Sequence, residues 1–335
     1  MAIYRNDTEI ADHLRVNFAF NHGALGDVIS SLPALIHARR LHNPAMKMVL
    51  WVPPWQMDLL QLLLYPYGEF EFRRFDDLLK KRGEMDRGED GPVRYNSVTR
   101  NWLTRNRVDM VDFAFGAFLD ARSETLQQHN YPTEAPLGVR PDIKGPYVVF
   151  PVGATSENKV FVPEVLEPII QWVSHRGYTP VITGSSKSYI SAETPKGLEP
   201  LPILDNFDSI GDHTKGICHD LRDATTLVQL RDLCGYAAAV VGIDGGTLHL
   251  AATTEVPIVY GLTSVARQHR SIVRDDEWNW RLRHVTPAKL DCAGCQSNMT
   301  LMFNHDFRFC LYKDNACTTA LRSGDFIAAL ESLGL

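Results

Sequence analysis

Apolar and polar positions along the first half of the chain predict a strand, a glycine turn and a helix. The apolar run 16–20 precedes the turn, and apolar residues then recur at helical spacing over 28–42. Further strands are predicted at 46–52, which two prolines close, and at 109–115. The charged, glycine-bearing segment 76–94 is expected to be a solvated loop. Strands that alternate with helices are typical of a parallel sheet covered by helices on both faces.

The same alternation begins again near residue 146. The predicted strands of this second half are 146–153, 178–185, 238–244 and 256–264, and the predicted helices are 163–177 and 225–237. Segment 137–146, which has two prolines and two glycines, is the best linker candidate. The pattern therefore predicts an α/β protein with two doubly wound, Rossmann-like domains, 1–140 and 141–335. In such domains the carboxyl ends of the strands present the ligand site.

Composition supports two globular domains and narrows the classes of partner. The 335 residues are 44% hydrophobic, and 34 Lys+Arg against 40 Asp+Glu give a net charge of −6. This mild acidity argues against a general binder of the nucleic-acid backbone, although it is compatible with a local basic groove. No segment has the 18 apolar residues of a spanning helix, and the first residues lack the layout of a signal peptide. We therefore expect a soluble, cytoplasmic protein.

Two turns after predicted strands carry candidate chemistry. The first delivers Asp27 to the first turn of a helix, where a carboxylate either takes a proton from a hydroxyl or merely caps the helix. The second follows the strand 238–244 and contains Asp244, Gly245, Gly246 and Thr247. Its glycines would let the backbone approach a ligand, and free amides at 246–248 would point at an anion such as a diphosphate.

Four further side chains extend this candidate anion site. His249 could donate to a phosphate or a sugar hydroxyl, or it could be a satisfied core histidine. The segment after the first strand of the second half contains Thr155, Ser156 and Lys159. Two hydroxyls and a lysine ammonium are groups that can bind a phosphate.

Four of the six cysteines lie close together near the C-terminus. Cys292 and Cys295 form a close pair, and Cys310 and Cys317 follow within the same 26 residues. In a reducing compartment this clustering favours a four-thiolate metal site, with zinc as the default and iron as the alternative. Two disulfides, or four cysteines without metal, remain open as other interpretations.

Three segments together resemble glycosyltransferase family 9, the ADP-heptose:lipopolysaccharide heptosyltransferases. GALGDVISSLPAL (23–35) is similar to the N-terminal signature of the family, and 151–186 is similar to the opening of its donor domain. The third and most specific segment, 220–264, contains GIDGGTLHLAATTEVPIVYG, which is similar to the family's D-[ST]-G-x-x-H-L-A-A run. One departure is Gly245, which stands where the family usually has Thr or Ser.

The resemblance implies a GT-B architecture, with two Rossmann-like domains facing a central cleft. Domain 1–140 would bind the acceptor, with Asp27 as the catalytic base, and domain 141–335 would bind the nucleotide-sugar, with Lys159 on its phosphates. The donor-binding residues expected on this basis are Thr155, Ser156, Lys159, Thr183, Gly184, Asp244, Gly245, Gly246, Thr247 and His249. Family members that glycosylate autotransporter proteins carry a similar four-cysteine iron finger, which raises the expectation of iron.

The function that the resemblance implies is an inverting, metal-independent transfer of a sugar from a nucleotide diphosphate to an acceptor hydroxyl. ADP-heptose is the expected donor and a glycan or a protein the expected acceptor, with no cofactor in catalysis. A modified DNA base is an alternative acceptor. Outside this enzyme class, the alternatives are a catalytically silent binding or assembly module and a sugar-nucleotide epimerase.

Overall fold

The computed structural model describes residues 15–20, 24–41, 47–75, 77, 93–95, 131–185, 189–190, 200–201, 203–265, 280–287, 290–295 and 309–335. These residues divide into two compact units, with the boundary between Pro136 and Leu137. The predicted strand at 109–115 lies outside the described residues. Both units contain parallel sheets with helices, which confirms the α/β fold class.

The first unit is built on a parallel sheet. Its elements are β1 (Arg15–Ala19), α1 (Leu25–Leu41), β2 (Lys47–Val52), α2 (Met57–Leu64), β3 (Glu71–Arg74) and β4 (Val93–Tyr95). The strand order is β3-β2-β1-β4, and each pair is parallel. The expectation of a loop throughout 76–94 is wrong at its end, because Val93 and Arg94 belong to β4. Sheet pairing with β1 overrides the polar composition of this segment.

Buried apolar residues of the first unit come from α1 and from the strands, and Ala19, Val49, Trp51 and Phe75 pack in one cluster. The residues of α1 that recur at helical spacing and are buried are Val28, Ile29, Leu32 and Leu35. A buried polar pair also lies in this unit, where the indole Nε1 of Trp51 donates to Asn17 Oδ1 at 3.1 Å. The pair satisfies two buried polar groups that would otherwise destabilise the sheet.

The second unit contains a larger sheet. Its strands are β5 (Tyr147–Pro151), β6 (Thr179–Thr183), β7 (Tyr189–Ile190), β8 (Pro200–Leu201), β9 (His219–Asp220), β10 (Ala239–Ile243), β11 (Ile258–Gly261) and β12 (Leu282–Val285). Its helices are α3 (Pro163–His175), α4 (Asp212–Gly216), α5 (Leu227–Gly235), α6 (Gly246–Ala251), α7 (Ala316–Thr319) and α8 (Ser323–Ser332). Among the described residues, the parallel order is β12-β11-β10-β5-β6-β9, and β7 and β8 form a short antiparallel pair.

The central strands of this sheet are covered on both faces, which is why they were visible in the sequence as continuous apolar runs. All five residues of β10 and all four of β11 are buried. Helix α3 packs its buried apolar face against the sheet, and α8 contacts α3 and β12. Because the strands are parallel, the segments after β5, β6 and β10 emerge at one edge of the sheet, and these segments carry the predicted donor-binding residues.

Across the described residues, the structure has no helix with both the length and the apolar character needed to cross a membrane.

Candidate functional site

Asp27 lies in the first turn of α1 in the first unit. It is the third residue of the helix, so it is not at the capping position that the sequence left open. Its side chain is half-buried, and its main-chain carbonyl accepts a hydrogen bond of 2.8 Å from Ser31 Oγ. Asp27 is therefore a half-buried carboxylate near the N-terminus of α1.

In the second unit, a short 3₁₀ turn after β5 carries Lys159. The turn spans Glu157–Lys159, and the Lys159 amide donates to the Ser156 carbonyl at 3.0 Å. Thr155 is half-buried beside it. Ser156 is buried, and its hydroxyl donates to Asn158 Oδ1 at 2.8 Å, so its proton is used inside the turn.

Asp244 follows β10 and is the buried centre of the site. Its side chain is 3% exposed, and its Oδ2 accepts a hydrogen bond of 2.7 Å from Lys159 Nζ. The buried hydroxyl of Tyr260, on β11, donates to Oδ1. His249 Nε2 lies 3.6 Å from the same oxygen, and the His249 and Tyr260 rings meet edge to face with centroids 6.4 Å apart.

This arrangement separates a buried carboxylate from a partly accessible cation. Lys159 keeps 19% of its side chain exposed, whereas Asp244 and His249 are almost completely enclosed. Burying a carboxylate is costly unless cations and hydrogen-bond donors compensate, and Lys159 and Tyr260 do so here. Among the described groups that contact Asp244, Lys159 is therefore the one whose side chain remains partly accessible to an anion.

The glycine turn after Asp244 opens α6 as the sequence predicts, but with one amide fewer available. Gly245 has an extended backbone (φ −169°), and α6 begins at Gly246, followed by Thr247. The amide of Leu248 donates to the Gly245 carbonyl at 3.1 Å. The prediction of a free amide at 248 is therefore wrong, because the first turn of the helix uses it.

Thr183 and Gly184 end β6 and are held against the segment after β5. Thr183 is fully buried, and its carbonyl accepts a hydrogen bond of 2.8 Å from the Val152 amide. Within the described part of the chain, its hydroxyl has no hydrogen-bond partner. Gly184 has φ +139°, and a Cβ there would lie 2.0 Å from the Val152 carbonyl oxygen, so only glycine fits.

Several residues that support this site were not predicted from the sequence. Tyr260 was detectable only as a polar aromatic residue within the apolar run 256–264. Arg231 and Arg281 are buried and donate to main-chain carbonyls that follow α6, including those of Thr253 and Thr254. Burial lowers the pKa of Arg281 to about 10. The sequence feature that pointed to Arg231 was an arginine within the predicted helix 225–237.

The four clustered cysteines are all free thiols, so the disulfide alternative is wrong for them. Cys292 and Cys295 lie on one turn, in which the Cys295 amide donates to the Cys292 carbonyl at 3.0 Å. Burial, and then charge on the other three thiols, raises the pKa of Cys317 to about 12. Where the structure describes the chain, however, no three His, Cys, Asp or Glu side chains are arranged to hold a metal ion. The predicted metal finger is therefore not shown.

The family model of glycosyltransferase family 9 (heptosyltransferase) matches residues 111–299, which is more than half of the chain. No curated protein sequence matches the chain significantly.

Solved structures of heptosyltransferases have a similar fold. The iron-containing dodecameric glycosyltransferase TibC from enterotoxigenic E. coli H10407 is similar with a TM-score of 0.68 and 16% identity, over 95% of this chain and 75% of that one. E. coli ADP-heptose LPS heptosyltransferase II has a TM-score of 0.58 and 14% identity, over 94% of this chain and 98% of that one. The glycosyltransferase family 9 structure from Veillonella parvula DSM 2008 has a TM-score of 0.58 and 12% identity, over 96% and 97%. These similarities confirm the predicted GT-B type of α/β fold.

Proposed function

Because the chain belongs to glycosyltransferase family 9, the heptosyltransferase family, and is a glycosyltransferase, we propose that it transfers a heptose from ADP-heptose to an acceptor hydroxyl. The proposed reaction inverts the anomeric carbon and uses no catalytic metal. In this proposal, residues 1–140 bind the acceptor and residues 141–335 bind the donor.

The observation that carries the donor assignment is the Lys159 ammonium beside the buried Asp244 carboxylate. The pair lies at the carboxyl edge of a parallel sheet, where α/β proteins bind nucleotides. A diphosphate leaving group gains negative charge as its bond to the sugar breaks, and a fixed cation stabilises that charge. The ADP part of the donor is supported further by E. coli heptosyltransferase WaaC, a relative of this fold whose structure contains ADP.

We assign the role of catalytic base to Asp27, on the resemblance of its turn to the family signature and its position in a helix N-terminus. The acceptor oxygen forms a bond to the anomeric carbon while the bond from that carbon to the diphosphate oxygen breaks. The hydroxyl proton passes to the Asp27 carboxylate, and ADP leaves with the bonding electron pair. Because a carboxylate is a much weaker base than an alkoxide, the proton moves late, after the new bond has largely formed.

The test compares Asp27→Asn with Asp58→Asn, which makes the same change in the first turn of α2 on an exposed aspartate of the same unit. ADP release from ADP-heptose with an acceptor is expected to fall by about 10³-fold or more in Asp27→Asn, within the range expected for losing a general base and its positioning. Nucleotide affinity is expected to stay within two-fold, and Asp58→Asn is expected to behave as wild type. Near-normal turnover of Asp27→Asn would overturn the assignment of the base.

The donor class is tested separately by thermal shift with ADP, UDP and GDP. Selective stabilisation by ADP supports the proposal, since a ligand that binds only the folded state raises its stability. A glycan or a protein is the proposed acceptor, and acceptor-dependent ADP release with lipopolysaccharide core or with a polypeptide distinguishes them. The six free thiols are suited to the reducing cytoplasm, where we propose that the enzyme acts.

We also propose a structural metal on Cys292, Cys295, Cys310 and Cys317. The support is the donor set alone: four thiols lie within 26 residues of the sequence, and thiolates are ligands suited to zinc or iron. When bound, the metal would cross-link the two cysteine pairs and would take no part in the transfer. Metal analysis of protein purified without chelator is expected to give about one equivalent of zinc or iron. Protein with neither metal would overturn this proposal.

A further inference from the structure

The cysteine-bearing segments contact the turn that carries Lys159 on two sides. From one side, the main-chain amide of Cys310 donates to Glu157 Oε1 at 2.6 Å. Helix α7, which contains Cys317, packs against the same 3₁₀ turn. A carboxylate that accepts from a main-chain amide makes a charge-assisted hydrogen bond, which is about twice as strong as a neutral one.

The second contact runs through Thr263, in the segment after β11. The amide of Gly294, which lies between Cys292 and Cys295, donates to the Thr263 carbonyl at 3.3 Å. The buried Thr263 hydroxyl in turn donates to the carbonyl of Asn158, the residue before Lys159. Both cysteine pairs are therefore connected to the same three-residue turn, through different residues.

The turn cannot easily move without breaking these contacts. Glu157 is tied to Cys310, Asn158 to Thr263, and Lys159 to Asp244, so each of its three residues has an anchor in a different segment. A lysine has a flexible four-carbon stem, and its ammonium is most effective when the backbone beneath it is fixed. The anchors at Glu157 and Thr263 fix that backbone.

From these contacts we infer that Glu157 and Thr263 are positioning residues, through which the cysteine-bearing segments hold Lys159 where it binds the donor diphosphate. The inference rests on the proposed function of Lys159. It gives the cysteine cluster a specific effect on donor binding that acts through Glu157 and Thr263.

The experiment measures ADP and adenosine affinity by calorimetry on the full chain. Glu157→Ala is expected to weaken ADP binding about ten-fold, because it removes the charged acceptor of the Cys310 amide. Glu157→Gln keeps an uncharged acceptor for the Cys310 amide and is expected to weaken ADP binding about three-fold. Thr263→Val replaces the hydroxyl by a methyl group and is expected to weaken ADP binding about as much as Glu157→Ala does. Adenosine has no phosphate for Lys159 to bind, so its affinity is expected to stay within two-fold in every variant.

A double-mutant cycle separates positioning from general damage. In the Lys159→Ala background, Glu157→Ala is expected to change ADP affinity less than two-fold, because the group that it positions is gone. Glu164→Gln is the matched control, on an exposed glutamate in the first turn of α3, and is expected to bind ADP as wild type does.

The outcomes distinguish this inference from the proposed function. If Lys159→Ala itself leaves ADP affinity unchanged, the proposed donor site is wrong. If Lys159→Ala weakens ADP binding but Glu157→Ala and Thr263→Val do not, the donor site stands and the positioning inference is overturned. Equal loss of ADP and adenosine affinity in Glu157→Ala, or an undiminished loss in the Lys159→Ala background, would also overturn it.

Discussion

Replacing Lys159 by Met removes one charge from a largely buried pair and keeps most of the side-chain volume. At 2.7 Å, two unit charges attract by about 6 kcal/mol at an effective dielectric of about 20, before the cost of desolvation is subtracted. The change leaves Asp244 buried with a hydrogen bond from Tyr260 and with His249 nearby. Removing one partner of a buried pair costs about 3–5 kcal/mol, and these remaining groups offset part of it. We therefore expect Lys159→Met to lower the free energy of unfolding of the second unit by about 3 kcal/mol.

The matched control is Lys215→Met, because Lys215 pairs with an Asp212 side chain that is 100% exposed. This variant is expected to show no measurable loss, as is usual for exposed ion pairs. Urea unfolding, with hydrogen exchange of β10 as the local probe of the second unit, measures both variants. A shift of about 1 M in the urea midpoint at unchanged slope is expected for Lys159→Met. If the two lysine variants unfold at the same urea concentration, the electrostatic reasoning about the Lys159–Asp244 pair is refuted.

Three further predictions concern the same unit. Tyr260→Phe, which removes only the hydroxyl bonded to Asp244, is expected to destabilise the unit by about 2 kcal/mol in the same urea assay, and an unchanged midpoint would contradict the role given to this bond. Gly245→Ser is expected to fold and bind ADP at least as well as wild type, because a Cβ there meets only one carbonyl oxygen, at 3.4 Å. Gly242→Ala is the contrasting variant, because its Cβ would lie 2.9 Å from the Pro151 ring. It is expected to lower the free energy of unfolding by about 1–3 kcal/mol. Burial raises the pKa of Cys234 to about 12, so the unfolded chain loses this thiol proton from about pH 9 while the folded chain keeps it, and stability falls by about 1.4 kcal/mol per pH unit in between. Cys234→Ala is expected to remove this decrease in the free energy of unfolding between about pH 9 and 11, as measured by urea unfolding. An unchanged pH dependence in Cys234→Ala would contradict the role given to the buried thiol.

The strands that the sequence predicted correctly are the ones whose burial left a continuous apolar pattern. Strands β5, β10 and β11 are buried along most of their length, so period and composition agreed with the fold. Strands β3 and β4 were not predicted, because EFRR and VRY carry charged residues and are only three or four residues long. Their conformation depends on pairing with β2 and β1, which local sequence does not encode.

The candidate donor-binding residues could be identified from the sequence because they follow strands. Which of them are buried and which are exposed could not be predicted. Lys159 and Asp244 follow β5 and β10, and the parallel order that makes those strands neighbours brings together two side chains that are 85 positions apart in the sequence. The sequence assigned both to the donor site. The structure encloses Asp244 with His249 and leaves Lys159 partly exposed.

This division follows from the cost of burying polar groups at the ends of central strands. A carboxylate that emerges from a fully buried strand has to be paired within the protein, whereas a lysine on the neighbouring turn can pair with that carboxylate and still extend its ammonium towards solvent. The contacts of Glu157 and Thr263 could not be predicted from the sequence for a related reason. Their partners are a main-chain amide 153 positions away and a carbonyl 105 positions away, and main-chain groups have no residue identity for a motif to record. The parts of a site that bind a ligand are therefore more visible in sequence than the parts that hold those residues in place.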